Sequence, residues 1–202
     1  MDSKRSNLYP LHRREVVKKL LSQRDGMLVV AGLGASAWDI TAAGDEPLNF
    51  PLWGAMGGAV SLGLGLALAQ PSRRVLVVTG DGEMLMGLGS LATVAIQSPP
   101  NLSIIVLDNE CYGETGMQAT HTAGNVDLEA VASATGIPVC GTIHDNPSLE
   151  SALPQIRNGK GPLFFNIKIR AEDLPLVAPP KDGIFLKNRF RQALLGIMRL
   201  DK

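Results

Sequence analysis

Two polar motifs stand directly after apolar runs, and their residue types suit an anion and a divalent cation. The triplet Gly80-Asp81-Gly82 follows the apolar run RVLVVT, which starts at Arg74. Its glycines let backbone amides approach an anion, and Asp81 offers the hard oxygen that Mg²⁺ prefers. A lone GDG is more often an ordinary turn between a strand and a helix, so the triplet does not decide the function by itself.

A second polar position strengthens the prediction of a cation site. Asn109 lies 28 residues after Asp81, at the end of the next apolar run, LSIIVLD. This separation fits one helix and one return strand, which would bring both side chains to the same edge of a parallel sheet. A carboxylate, an amide oxygen and a nearby backbone carbonyl could then share one octahedral Mg²⁺, completed by phosphate oxygens and water. The two motifs together predict a site for a diphosphate and magnesium.

The elements that must position these motifs alternate along the chain. Runs rich in valine and isoleucine predict buried parallel strands, and the segments between them have helical length and pattern. The predicted strands start at Met27, Arg74, Leu102, Ile137 and Leu163, and the predicted helices cover 11–21, 58–69, 85–97, 127–135, 148–157 and 184–200. This alternation predicts an α/β fold, a doubly wound, mostly parallel sheet with helices on both faces. We expect residues 1–180 to form one domain with both motifs, and residues 181–202 to form a helical tail packed on that domain or on a partner.

Composition and charge exclude several classes of protein. The 202 residues carry 19 basic and 19 acidic side chains, so no net field favours nucleic acid or an anionic membrane as a partner. The apolar stretch 59–69 is too short to span a bilayer, and the start of the chain lacks the apolar core of a signal peptide. Two cysteines give neither a disulfide framework nor a zinc or iron-sulfur pattern. These features predict a cytoplasmic protein that binds any charged ligand through individual side chains and not through its net charge.

The stretch GDGEMLMGLGSLATVAIQSPPNLSIIVLDNECYG resembles the signature of thiamine diphosphate enzymes, in which a GDG precedes an asparagine at a similar distance. The resemblance implies that Asp81, Asn109 and the main-chain oxygen of Cys111 bind magnesium. Asp108 stands where the family usually has the first residue of an Asn-Asn pair, but the second position is the ligand. The resemblance also implies the thiamine diphosphate-binding fold, with residues 1–180 as the domain that binds thiamine diphosphate and magnesium.

A second stretch, PLWGAMGGAVSLGLGLALA, resembles the segment that precedes the GDG in the same family. In that family a glycine carbonyl receives the aminopyrimidine of the cofactor, and a bulky apolar residue holds the cofactor bent. The matching positions here are Gly54 and Met56, although a core methionine at the start of a glycine-rich helix is an alternative interpretation. Together the two stretches imply cofactor binding by Gly54, Met56, Gly80, Asp81, Gly82, Glu83, Asn109 and Tyr112.

The run YGETGMQAT at 112–120 is similar to that of the sulfopyruvate and phosphonopyruvate decarboxylases. This branch implies a lyase that removes carbon dioxide from a small 2-oxo acid, with the cofactor supplying the chemistry. We predict Glu114 and His121 as catalytic residues because a carboxyl group and an imidazole can transfer protons, although either could be an ordinary loop residue. Ser36 is a candidate ligand contact or a helix N-cap. Further candidate contacts are Thr115, Gln118 and Tyr112, the last of which could also simply pack at the strand end.

The chain lacks a module that the resemblance requires. In the family a glutamate on a pyrimidine-binding module activates the cofactor, and 202 residues leave room only for the diphosphate-binding module. The resemblance therefore implies a partner subunit that supplies this glutamate, with such pairs assembling into a larger hetero-oligomer. Three alternatives stay open: a subunit of a carboligating or oxidising 2-oxo acid enzyme such as an acetolactate synthase, a non-catalytic cofactor-binding scaffold, and a nucleotide-binding domain. The last is weakened because GLGASA, from Gly32, falls short of GxGxxG.

Overall fold

The apolar runs of the sequence form the strands of one central sheet. The structure is a computed structural model that describes residues 5–196. Within this range the strands are β1 Leu28–Ala31, β2 Asn49–Pro51, β3 Val75–Gly80, β4 Leu102–Asp108, β5 Cys111–Tyr112, β6 Gln118–Ala119, β7 Val139–Ile143 and β8 Leu163–Lys168. Six strands pair in parallel in the order β2-β1-β3-β4-β8-β7, and β5 and β6 form a small antiparallel pair.

Helices cover both faces of this sheet. In the described part of the chain the α-helices are α1 Arg13–Leu21, α2 Ala35–Ala43, α3 Ala59–Ala69, α4 Asp81–Met86, α5 Ser90–Gln97, α6 Leu128–Ala134, α7 Asn146–Asn158 and α8 Gly183–Leu195. Buried side chains of α1, α2 and α7 pack on one face, and those of α3, α5, α6 and α8 pack on the other. The predicted doubly wound α/β fold is confirmed. None of the helices within residues 5–196 has the length and apolar character needed to cross a bilayer.

The apolar patterns of the sequence predicted neither β2 nor α2, although Ser36 was a candidate N-cap for a helix at the start of α2. Strand β2 has only three residues, which is too short for an apolar alternation to be visible. Helix α2 buries the charged Asp39 and the polar Ser36 on its inner side, so its sequence lacks a continuous apolar stripe. Asp39 is compensated by Arg13 on α1, with 2.7 Å between the carboxylate and the guanidinium.

The predicted single helix at 85–97 is wrong, because the chain forms two helices there. Helix α4 ends at Met86, and α5 begins at Ser90 after a glycine-rich break. A Cβ on Gly87 would lie 2.2 Å from the carbonyl oxygen of Gly57, so the two backbones touch at this point. Only glycine permits this close approach, and the break follows from it.

Two predicted helix ends also differ from the structure. The N-cap of α2 is Gly34, whose φ of 75° suits glycine, so the alternative of Ser36 as the cap is wrong. Helix α8 ends at Leu195, and the part of the predicted helix from residue 197 onwards lies outside the described residues. Phe190 of α8 meets Phe50 of β2 edge-on, with 5.4 Å between the ring centroids. The boundary between domain and tail at residue 180 stays a prediction.

Candidate functional site

The candidate site lies where β3 and β4 end. These neighbouring strands pair in parallel with Gly80 opposite Leu107, so the residues that follow them emerge at the same edge of the sheet. Asp81 begins α4 directly after β3, and Asn109 directly follows β4. A cleft at this edge is lined by the loop after β1, by Met56, by α4 and by the segment after β4. The topology therefore brings the two predicted motifs to one cleft.

Asp81 is buried and has no positively charged partner within residues 5–196. It is 2% exposed, and its Oδ2 accepts hydrogen bonds from the hydroxyls of Thr120 at 2.6 Å and Thr122 at 3.3 Å. Burial and the neighbouring Asp108 carboxylate raise the pKa of Asp81 above its usual value, because both disfavour the charged form. A cation bound in the cleft would therefore stabilise an ionised Asp81, as expected of a metal ligand.

Asn109 and Cys111 bring further oxygen atoms to the same cleft. Asn109 Oδ1 accepts a hydrogen bond from the backbone amide of Cys111 at 3.0 Å, which leaves its second lone pair for another partner. The Cys111 thiol is buried, with Sγ 4.0 Å from Ser6 Oγ, and burial raises its pKa. A protonated thiol is a poor metal ligand, so the chemistry favours the main-chain oxygen of Cys111.

This donor set fits magnesium. A carboxylate, an amide oxygen and a main-chain carbonyl are all hard oxygen donors, and Mg²⁺ normally keeps water or phosphate oxygens in its remaining positions. Among residues 5–196, no group of three or more His, Cys, Asp or Glu side chains is arranged to hold a metal ion. A site in which these few protein oxygens share the ion with a bound diphosphate agrees with the donor types and with the absence of a larger ligand cluster in the described residues.

Glu83 links two loops of the cleft wall. Its carboxylate accepts hydrogen bonds from the Thr79 hydroxyl at 2.6 Å and from the Leu33 amide at 3.1 Å. Burial raises the pKa of Glu83, and these hydrogen bonds oppose the rise. A Cβ on Gly32 would lie 1.7 Å from Glu83 Oε2, so the glycine makes room for the carboxylate. Glu83 thus joins the end of β3 to the loop after β1, and its predicted contact with a cofactor stays a prediction.

Met56 lies at the rim of the cleft, on a loop with an unusual backbone. Its side chain lines the cleft and is 61% exposed, so the alternative of a core methionine is wrong. The preceding Ala55 has a φ of 56°, a left-handed conformation that non-glycine residues rarely adopt. Close packing of Gly57 against Gly87 ties this loop to the end of α4. Gly54 is exposed and is not among the described residues that line the cleft.

The segment after β4 covers the cleft from one side. The Tyr112 ring lies over Gly82, where a Cβ would be 2.8 Å from Cδ1. Glu114 lines the cleft, and its carboxylate lies over Gly34, where a Cβ would be 2.5 Å from Oε1. His121 is exposed and is not among the described residues that line the cleft, although its Nδ1 is 3.4 Å from Tyr112 Oη. Of the two predicted catalytic residues, only Glu114 lies in the cleft wall.

Of the other candidate contacts, some line the cleft and some do not. Thr115 lines the cleft, whereas its hydrogen-bond partner Gln118 does not. Ser36 lines the cleft, is 2% exposed, and its hydroxyl has no hydrogen-bond partner among the described residues. Arg13 is the positively charged residue of the lining, and it lies near Ser36 through its bond to the Ala35 carbonyl at 3.4 Å. Because Arg13 is already paired with Asp39, the Ser36 hydroxyl is the group of the two that is left to contact a ligand.

Several residues that hold the site in shape were missed from the sequence. In the stretch QATHTAG the pattern favoured His121, whereas the structure buries Thr120 and Thr122 against Asp81. Lys168 was also missed, although it is a lysine within the apolar run LFFNIKI. A lysine in a buried strand requires an acidic partner, and this signal could have been used.

Comparison with known proteins identifies the family of the chain. A family model described as the thiamine pyrophosphate enzyme, C-terminal TPP binding domain, matches residues 32–167, which include both strand ends. The chain belongs to this family. Thiamine pyrophosphate is another name for thiamine diphosphate, so the family resemblance predicted from the GDG motif and Asn109 is confirmed.

Individual members of the family show how much of the chain is shared. The sulfopyruvate decarboxylase subunit beta of Methanothermobacter thermautotrophicus is 40% identical over 169 residues, which cover 83% of this chain and 88% of that protein. The phosphonopyruvate decarboxylase of Streptomyces hygroscopicus is 41% identical over 76% of this chain, which spans only 38% of that protein. A thiamin diphosphate-dependent enzyme from Mycobacterium smegmatis, of known X-ray structure, matches 81% of this chain and 32% of its own, with a TM-score of 0.68 at 21% identity. This last likeness supports the fold alone.

Proposed function

We propose that the chain is one subunit of a thiamine diphosphate- and magnesium-dependent decarboxylase that acts on a small 2-oxo acid of the sulfopyruvate or phosphonopyruvate type. Membership of the thiamine pyrophosphate family supports the cofactor. The names of two relatives support the reaction and the class of substrate. Sulfopyruvate is the favoured substrate, because this chain aligns with almost the whole length of the sulfopyruvate decarboxylase subunit.

One observation carries the proposal. Asp81 is buried without a positive partner in the described residues, at the end of the strand next to the one that presents Asn109. Asp81, Asn109 Oδ1 and the Cys111 carbonyl would hold Mg²⁺, and the glycines at 80 and 82 would admit the diphosphate. When bound, thiamine diphosphate would supply the electron sink that decarboxylation requires.

The residues of the chain would contribute positioning and proton transfer. The apolar side chain of Met56 would support the cofactor and exclude water from one side of it. Glu114 lies in the wall of the cleft and would exchange a proton with the substrate. His121 connects to the cleft only through Tyr112 among the described residues, so we assign it the more indirect role.

We also propose a partner subunit that carries the pyrimidine-binding site and the activating glutamate. Met56 and Met86 line the cleft yet are 61% and 55% exposed, so the cleft has an apolar rim. Apolar rims of this kind are typical of surfaces that a second protein covers. The Methanothermobacter relative is named as a subunit beta, which supports a hetero-oligomer. The cytoplasmic location stays a prediction.

Reconstitution tests the proposal. The purified chain is mixed with the pyrimidine-binding subunit from the same source, thiamine diphosphate, Mg²⁺ and a panel of 2-oxo acids that includes sulfopyruvate, phosphonopyruvate and pyruvate. We expect carbon dioxide from one of the first two acids, and only when both subunits and Mg²⁺ are present. Acetolactate formed from pyruvate would instead support the carboligating alternative. Cofactor binding without turnover of any acid would support the scaffold and overturn the lyase.

A further inference from the structure

Two buried acids flank Asn109 in the sequence, and neither belongs to the proposed magnesium site. Asp108 is fully buried, and Glu110 is 2% exposed. Glu110 has a φ of 62°, in the left-handed region that non-glycine residues rarely adopt. Such a conformation persists only where surrounding contacts hold it. The Glu110 amide donates to Asp108 Oδ1 at 3.0 Å, and the side-chain contacts of the two acids add to this local bond.

Lys168 on β8 connects both acids. Its Nζ donates to Asp108 Oδ2 at 2.7 Å and to Glu110 Oε1 at 3.0 Å, and its side chain is 12% exposed. Strand β8 pairs with β4 so that Lys168 lies opposite Asp108. One ammonium group therefore bridges the residue before Asn109 and the residue after it.

Glu110 has two further partners that keep it charged. Arg5 donates to Glu110 Oε2 at 3.1 Å, and Tyr9 Oη donates to Oε1 at 2.6 Å. Burial alone would raise the pKa of Glu110, but Arg5, Tyr9 and Lys168 hold it below its usual value. Among these donors, Lys168 alone also binds Asp108, so it couples the two sides of the loop.

We propose that Lys168 is a positioning residue for the magnesium site. By bridging Asp108 and Glu110, it fixes the loop that presents Asn109 Oδ1 and the Cys111 carbonyl to the ion. Lys168 is not among the described residues that line the cleft, and an ammonium group would repel Mg²⁺, so it acts through the two acids. This role rests on the proposed function and adds to it a group that orients the ligands without touching the metal.

Metal selectivity tests this role, because Mg²⁺ requires nearly ideal octahedral ligands whereas Ca²⁺ tolerates irregular geometry. The test uses the reconstituted mixture of chain and partner subunit with thiamine diphosphate, titrated with each ion by calorimetry. Lys168→Met should weaken Mg²⁺ binding by at least about tenfold, as is typical for groups that orient metal ligands, and Ca²⁺ binding by less than about threefold. Lys168→Arg keeps a charged donor that can bond carboxylates and should retain more Mg²⁺ affinity than Lys168→Met does.

Arg189→Met is the matched control, which shows whether the loss of an ion pair alone, through lower stability, weakens metal binding. Arg189 on α8 also binds an acid, Asp45 in the loop between α2 and β2, at 2.7 Å, and neither residue lines the cleft. This variant should leave the affinity for both ions unchanged. Equal weakening of Mg²⁺ and Ca²⁺ binding in Lys168→Met, or no weakening, overturns the positioning role. If the parent mixture binds neither ion with the cofactor, the proposed function fails and this inference fails with it.

A second variant keeps the test decisive if Lys168→Met does not fold. Glu110→Gln keeps the size of the side chain and an oxygen acceptor for Lys168, but it removes the charge on one side of the bridge. A loss of Mg²⁺ affinity that exceeds the loss of Ca²⁺ affinity supports the role of the bridge. Unchanged selectivity between the two ions overturns it.

Discussion

The ends of β3 and β4 both carry a buried aspartate, but the charge is compensated differently at each. Asp81 accepts hydrogen bonds from the hydroxyls of Thr120 and Thr122, which orient it without cancelling its charge. Asp108 accepts from the ammonium group of Lys168 at 2.7 Å and from the amide of Asn166 at 3.0 Å. Asp108 therefore has its counter-charge inside the fold, whereas Asp81 has none within the described residues.

This difference is what we would expect between the proposed metal ligand, Asp81, and a structural acid, Asp108. A buried carboxylate that is held only by hydroxyls keeps its orientation and gains most when a cation arrives. A carboxylate already paired with an ammonium group gains little, because its charge is compensated. In the proposed site, the end of β4 would offer the neutral oxygen of Asn109 to the ion, so the two strand ends would have complementary roles.

The strongest test removes the uncompensated charge. Asp81→Asn keeps the size of the side chain, but it should weaken Mg²⁺ binding by more than about a hundredfold, since even groups that only orient metal ligands contribute ten- to a hundredfold. Calorimetric titration of Mg²⁺ in the presence of thiamine diphosphate measures this. Asp45→Asn, at an acid paired with Arg189, should leave the affinity unchanged. Retained affinity in the Asp81 variant would remove this aspartate from the metal site.

A substitution at Gly82 tests the contact between the two strand ends. Its Cβ would lie 2.8 Å from the Tyr112 ring, so Gly82→Ala must displace the ring and should lower the free energy of unfolding. The expected loss is about 1–3 kcal/mol, the usual cost of overpacking. Gly65 in α3 has nothing within 4 Å of an added Cβ, so Gly65→Ala should instead stabilise the protein. Urea unfolding of both variants provides the measurement, and equal effects would exclude a tight contact at Gly82.

The Thr120 hydroxyl, which orients Asp81, should contribute less to Mg²⁺ affinity than the charge of Asp81 does. Thr120→Val keeps the shape of the side chain but removes the 2.6 Å bond to Asp81 Oδ2, so Mg²⁺ affinity should fall by about tenfold. Thr142→Val removes a similar bond, at 2.6 Å, to Glu129 and should leave Mg²⁺ affinity unchanged. Both affinities are read from the same calorimetric titration. Equal Mg²⁺ affinity in the two variants would mean that Thr120 has no part in holding the ligand.

The sequence predicted the parts of the site that follow directly from strand periodicity. Asp81 and Asn109 each stand at the end of a long apolar run, so their meeting at one sheet edge followed from the parallel topology. The compensation of charge could not be predicted in the same way. Thr120 contacts Asp81 from a separate loop, and Arg5 contacts Glu110 across more than a hundred residues, so neither contact leaves a local pattern.

The missed elements have a similar physical cause. Helix α2 is shaped by the buried pair of Arg13 and Asp39, and a charged residue on the inner face conceals the helical stripe. The break between α4 and α5 depends on the contact of Gly87 with Gly57, about thirty residues away in the chain. Both features arise from tertiary contacts that override local preference. The predicted catalytic roles of Glu114 and His121 remain predictions for the reconstituted enzyme.

The smallest expected effect concerns the metal-free protein and its response to pH. Because the pKa of Asp81 is raised in the folded state, folding holds its proton more tightly than the unfolded chain does. This contribution to stability is complete at low pH and is lost as the pH rises from about 4, the usual pKa of aspartate, through the raised value. The Asp81→Asn variant has no carboxyl group at this position, so it does not lose this stability as the pH rises.

In a metal chelator, Asp81→Asn should therefore melt above the parent once the pH exceeds the raised pKa of Asp81. We expect a gain of about 2–4 °C, the shift that 1 kcal/mol gives in a chain of this size, and a difference that shrinks towards pH 4. Thermal unfolding of both proteins across this pH range is the measurement. A difference that does not change with pH would mean that the charge of Asp81 is compensated within the fold, as that of Asp108 is. The contrast between the two strand ends would then disappear, and with it the physical reason for placing the metal at Asp81.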